Sequence, residues 1–180
     1  MLRRQVVLLS VVLTLLLVRG LAADDAKPRL KGLIVVGGCC HDYERQKVIL
    51  SEGLSQRVNI EWDVFHGPDG RDTKLEVYKK DDWIKQYDIV IHNECYGALK
   101  DNDWLEGIAK AHTENDIPAI VIHCAMHSYR AASTDAWRNL LGVTSRRHEK
   151  SKRQLDVENV AKDHPIMQGF PRMWRTPNGE

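Results

Sequence analysis

Short aliphatic runs, set between longer stretches where apolar and charged residues mix, give this chain its rhythm. Leu33-Ile34-Val35-Val36 followed by Gly37-Gly38 predicts a buried strand that ends in a turn. From Tyr43 to Gln56 the residues Val48, Leu50 and Leu54 recur among charges at near-helical spacing, and Asn59 to Phe65 then alternates as a second strand. Leu75 to Ile84 holds a short amphipathic stretch, Tyr87 to Ile91 reads as a third buried strand, and Asp103 to Asn115 as a helix with Asp101 placed to cap it. Ile117 to Ile122, with Pro118 near its start, is the fourth strand; a further one is expected over Gln154 to Val160, before a turn at His164-Pro165. Strand alternating with helix predicts an α/β fold: a doubly wound, mostly parallel sheet with helices on both faces and right-handed crossovers.

The amino end breaks this rhythm. Met1 to Arg4 is basic, Val6 to Val18 is almost unbroken aliphatic sequence, and the small residues Gly20 and Ala22 stand where a signal peptidase would require them. The run is too short to cross a bilayer comfortably, so the expected organisation is a signal peptide over 1–22, a polar lead-in over 23–31 and one α/β domain over 32–180. The competing reading keeps the leader as an uncleaved anchor. Cleavage implies export to a periplasmic or extracellular setting, with no membrane span left in the mature chain. The carboxyl end, Pro177-Asn178-Gly179-Glu180, is neither a capped helix nor a closing strand, and the domain is expected to be incomplete there.

The whole chain carries a formal net charge of +1, and the leader holds Arg3, Arg4 and Arg19 but no acid, so the mature part is close to neutral. Without a polybasic stripe interleaved with aromatics, nucleic acid is excluded as the expected partner; Arg146, Arg147, Lys150, Lys152 and Arg153 read as a solvated face. The four cysteines are too few for a disulfide scaffold at this length, although Cys39 or Cys40 joined to Cys95 or Cys124 would tie adjacent strand ends. Gly37-Gly38 lacks the spacing of a dinucleotide fingerprint, and no nucleotide cofactor is expected.

Ligands of open parallel sheets bind outside the carboxyl ends of the strands. Those ends carry Cys39-Cys40-His41-Asp42-Tyr43-Glu44, His92-Asn93-Glu94-Cys95-Tyr96 and His123-Cys124-Ala125-Met126-His127. Each residue taken singly is equally at home packed in a core; their concentration is what suggests a site. A metal site would draw on His41, His123 and His127 with Glu94 or His148, donors suited to a divalent ion such as zinc. A thiol site would use Cys124 at a helix start, with His123, His127 or His41 as base, although the glycines of a strained elbow are missing around it. A sugar site would hydrogen-bond hydroxyls through Asn93, Glu94 and Tyr96 and stack a ring on Trp104, Trp137 or Trp174. The working assignment makes His123, Cys124, His127 and Glu94 the catalytic candidates, His41, Asp42, Tyr43, Asn93 and Tyr96 the substrate-binding ones, and His41, His123 and His148 the metal ligands. It requires the loops bearing His41, Glu94 and His123 to emerge side by side.

The ordered set Gly37-Gly38-x-x-His41-Asp42-Tyr43-Glu44, Tyr87-Asp88-Ile89-Val90 with Tyr96-Gly97-Ala98-Leu99, Val121-Ile122-His123, Asp163-His164-Pro165-Ile166, Gly169-Phe170-Pro171 and Trp174-Arg175-Thr176 resembles the ThuA-like (trehalose utilisation) family over nearly all of residues 30–180. The resemblance implies a flavodoxin-like sheet related to class I glutamine amidotransferases and a role in trehalose, disaccharide or glycoside utilisation. If the chain is an enzyme, hydrolase-like or lyase-like action on a saccharide or oxidised sugar is implied, with ligand or metal contact at His41, His123 and His148. An amidotransferase-like cysteine hydrolase and a non-catalytic carbohydrate-binding or sensing module are the alternatives; a homo-oligomer is left open. The chain departs from the family pattern at Cys124-Ala125-Met126-His127-Ser128, where many members place small residues and an acid, and family domains usually run on past Trp174-Arg175-Thr176.

Overall fold

The computed structural model describes residues 28–147, 149 and 151–177. The expected signal peptide, most of the lead-in and His148 lie outside the described residues. The chain divides after Thr144 into two compact units. The first contains β1 (Leu30–Gly38), α1 (Tyr43–Ser55), β2 (Ile60–Asp69), β3 (Ile89–Cys95), α2 (Asn102–Asn115), β4 (Ala119–Val121) and α3 (Ala136–Leu141). Its four strands form an all-parallel sheet in the order β2-β1-β3-β4. In the second unit β5 (Asp156–Glu158) pairs antiparallel with β6 (Met173–Arg175), and the Arg175 guanidinium grips the Asp156 carboxylate at 2.6 and 2.8 Å. The strand expected over 154–160 therefore adds nothing to the parallel sheet.

Two-sided burial explains the aliphatic run of β1. Leu33 and Val35 face the layer that holds Leu105 and Ile108 of α2, while Ile34 and Val36 face Leu50 and Leu54 of α1. Each such side chain contributes about 1.5–3 kcal/mol when withdrawn from water. Both long helices begin on an aspartate cap: Asp42 accepts from the Arg45 amide at 3.0 Å and Asp101 from the Trp104 amide at 2.9 Å. Among the described residues, no helix is long and apolar enough to cross a membrane.

Three elements differ from expectation. Residues 75–84 give only one tight turn of 3-10 helix at Glu76–Tyr78, and β4 is trimmed to Ala119–Val121. Of most consequence, β3 starts late and continues through His92, Asn93, Glu94 and Cys95, a segment that reads as a loop because it is polar. Pairing with Val35 to Gly38 of β1 satisfies its backbone and carries those side chains into the interior. Gly38 permits that register: its φ is +98°, and a side chain there would overlap the Cys95 backbone.

Candidate functional site

The sheet changes direction between β1 and β3, since the chain leaves β1 for β2 on one side and returns to β3 on the other. A crevice outside the strand ends at such a point is where open α/β sheets hold ligands. Three segments meet there. Cys39, Cys40 and His41 follow β1; Cys95 closes β3; and a 3-10 helix, His123–His127, follows β4.

His41 Nε2 lies 2.9 Å from Cys124 Sγ, and the His41 and His123 rings meet edge to face with centroids 4.9 Å apart. His123 sits at φ +49°, a left-handed conformation that costs a non-glycine residue about 1–3 kcal/mol and persists only where the surroundings hold it. They do so through Trp137, whose Nε1 donates to the Ala125 carbonyl at 2.9 Å, and through Ser128, whose hydroxyl accepts from the Tyr96 amide at 2.8 Å. The strained corner expected to be missing for want of glycine is thus present, on His123. It swings Cys124 under His41.

Donor atoms of His41, His123 and Cys124 all lie within 4.8 Å of one another, as do those of Cys95, Cys124 and His127 and those of Cys39, Cys40 and Cys95. This cluster could hold a metal ion. Because it is a 3-10 helix that bears them, His123 and His127 do not share a face: one completes a set with His41, the other with Cys95. Cys39 and Cys40 are joined to each other, so the expected ties between strand ends are not formed; neither Cys95 nor Cys124 is in a disulfide. Burial pushes the Cys95 thiol up, with the Cys124 contact and the guanidinium groups of Arg130 and Arg71 pulling the other way. Burial likewise raises Tyr43, whose neutral hydroxyl donates to the Cys39 carbonyl at 2.9 Å and steadies the turn.

Glu94 is elsewhere. Side chains alternate along a strand, so Cys95 faces the α1 layer and Glu94 the α2 layer, where it is fully buried. Tyr78 and Tyr129 donate to its Oε1 at 2.9 and 3.1 Å, and His92 Nδ1 approaches the same oxygen at 3.0 Å. His92 Nε2 meets His112 Nε2 at 3.0 Å, and His112 Nδ1 meets the Ile117 carbonyl at 2.8 Å. A carbonyl only accepts, so His112 carries its hydrogen on Nδ1 and takes one from His92 Nε2. The Tyr78 hydroxyl also lies 3.0 Å from His92 Nδ1, so the phenol sits between imidazole and carboxylate. Burial, reinforced by His92, pushes His112 down to about 4, in keeping with a neutral ring; both tyrosines are pushed up by burial and then by Glu94.

Asn93 and Tyr96 are also enclosed: Asn93 donates to Gln46 at 2.9 Å, and the Tyr96 hydroxyl donates to the Pro68 carbonyl at 2.7 Å. They brace the rim from below. Asp42 caps α1 while lining a cleft of about 620 Å³ with His41, Tyr43, Glu44, Lys47, His66 and the 67–69 turn. At this cleft Glu44 bridges Lys47 at 2.7 Å and His66 at 3.0 Å. None of Trp104, Trp137 and Trp174 lines it; Trp137 is core, and Trp174 belongs to the second unit.

The rim therefore unites His41, His123, Cys124 and His127, leaves Glu94 on the far face, and adds Cys39, Cys40 and Cys95. The extra cysteines were signalled by their position at strand ends; Lys47 and His66 carried no such signal. Models of known protein families, curated proteins and solved structures yield no significant match to this chain.

Proposed function

We propose that this chain binds a saccharide in the cleft over residues 41–69 and presents it to a divalent ion of the zinc class held by His41, His123 and Cys124. One observation carries the reading: His41 belongs both to the cleft and to the cluster of donor atoms. Imidazole and thiolate donors suit zinc, and such an ion supplies Lewis acidity toward a carbonyl or hydroxyl oxygen. Glu44, Lys47, His66 and Asp42 offer the mixed donors and acceptors that hydroxyl groups need. The strand order matches the β2-β1-β3-β4 part of flavodoxin-like sheets, which supports the ThuA-like resemblance. Trehalose or a related disaccharide or oxidised sugar is the substrate class this implies, with hydrolase-like or lyase-like chemistry, and the apolar leader adds an exported setting.

Isothermal titration of the purified chain with trehalose, other disaccharides and their keto derivatives, with and without zinc, tests this. Heat with at least one sugar, strengthened by zinc and lost in His41→Ala, is the expected result; no heat with any of them overturns it. The 2.9 Å contact between His41 and Cys124 favours a second reading, a cysteine hydrolase with His41 as base. Hydrolysis that survives exhaustive chelation and vanishes in Cys124→Ser would assign the pair to that chemistry.

A further inference from the structure

Among the described residues three donor sets meet at the rim, and their membership decides how many ions these can hold. The set Cys95, Cys124 and His127 shares a residue with each of the others, whereas Cys39, Cys40 and Cys95 share none with His41, His123 and Cys124. Two ions fit together only by using the two sets without a common residue. One of these is closed in the structure, because its Cys39 and Cys40 sulfurs are bonded to each other, and metal ligation requires thiolates.

We infer that Cys39, Cys40 and Cys95 form a second site, for a thiophilic metal ion, that opens when the Cys39–Cys40 disulfide is reduced. The pieces are already in place. Cys95 Sγ stands 3.9 Å from Cys39 Sγ, and the Cys39 amide donates to the Cys95 carbonyl at 3.2 Å, so the third ligand is held against the pair by the sheet register itself. Cys40 is exposed while Cys95 is buried, which puts the reducible bond within reach of solvent and the resident thiol behind it. Cys40 holds φ +88°, a conformation unusual for a residue with a side chain, beside Gly37 and Gly38 at +135° and +98°. That run turns both cysteine side chains back toward β3.

Opening needs a small dithiol. One of its thiolates attacks Cys40 Sγ, the Cys39–Cys40 bond breaks and Cys39 leaves as thiolate; the second reagent thiol then displaces Cys40. Two electrons and two protons pass to the protein, and the reagent departs as its own disulfide. An all-sulfur set prefers softer ions than the imidazole-rich set beside it. This inference is independent of the saccharide reading.

Cadmium(II) titration of the full chain, followed by thiolate-to-metal charge-transfer absorbance, tests it before and after dithiol treatment under anaerobic conditions. Reduction should add one equivalent of tightly bound cadmium. Cys40→Ser, at an exposed position that leaves folding intact, should bind the same amount with and without dithiol; Cys95→Ser should also lose the added equivalent. His41→Ala should keep it. An unchanged stoichiometry on reduction of the native chain, or an added equivalent retained in Cys40→Ser, would overturn the site. Loss of the added equivalent in His41→Ala would overturn its separateness. Should zinc fail to bind at His41, His123 and Cys124 while the added equivalent remains, only the saccharide reading falls.

Discussion

Glu94 and Cys95 are neighbours on β3 that end in opposite settings. On the α2 side, a carboxylate, two imidazoles and two phenols form a closed chain of hydrogen bonds sealed beneath Tyr129 and Trp137. On the α1 side, thiols and imidazoles gather under a rim where Cys40 reaches solvent and His41 borders a cleft. The two polar groups differ in what completes them. Donors and acceptors in the first are matched to each other, save for Glu94 Oε2, whereas the second brings imidazole and sulfur atoms of the kind that ligate metals within 4.8 Å of one another beside a cleft.

The difference can be broken most sharply at Glu94. Replacing it by alanine strands His92 and two hydroxyls inside the core, and a loss of about 3–5 kcal/mol in urea unfolding is expected. Glu94→Gln keeps the volume and one acceptor, and should lose about 1–3 kcal/mol. A loss below 1 kcal/mol for the alanine variant would show that the network is solvated, and the contrast between the faces would disappear.

Acid should act on the same face. His112 titrates at about 4 when folded and near the ordinary 6.5 when unfolded, so the unfolded chain takes up a proton that the folded one refuses. Its contribution is complete above about pH 6.5 and declines as pH falls toward 4, by about 3 kcal/mol across that window. Urea midpoints at about pH 7.5 and about pH 4.5 check this, and His112→Gln should flatten the difference.

At the rim the expected effects on stability are small and those on binding large. His41→Ala should move the unfolding free energy by no more than about 0.5 kcal/mol. Its affinity for zinc should fall by more than the ~10- to 100-fold that loss of an outer partner costs. Asp42 lies between the two cases: Asp42→Ala should cost about 1 kcal/mol through the lost cap, and Asp42→Asn only tenths. Equal losses for both variants would mean that the carboxylate serves the cleft alone.

Periodicity made the alternation of strand and helix legible, and with it the parallel sheet, the cap on Asp101, and the clustering of cysteine and histidine at strand ends; the cap on Asp42 emerged only in the structure. It failed where polarity and burial part company. His92, Asn93 and Glu94 look like a loop because strands buried on both faces are normally apolar; Tyr78, His112 and Tyr129, distant in sequence, make burial tolerable by supplying their partners. His66 went unnoticed for a similar reason, lying on an edge strand and meeting Glu44 and Lys47 only through the packing of α1 on the sheet.

The amino-acid order alone determined which residues could be strands, which could be helices, and which reactive groups would stand near strand ends. Only the tertiary structure decided that Glu94 turns inward while Cys95 joins the rim, that Cys39 bonds to Cys40, and that His41 and His123 close on Cys124. The reason is geometric. A sequence specifies the alternation of a strand, but the face on which each side chain finds its partners depends on the register with β1 and on the helices packed against either side.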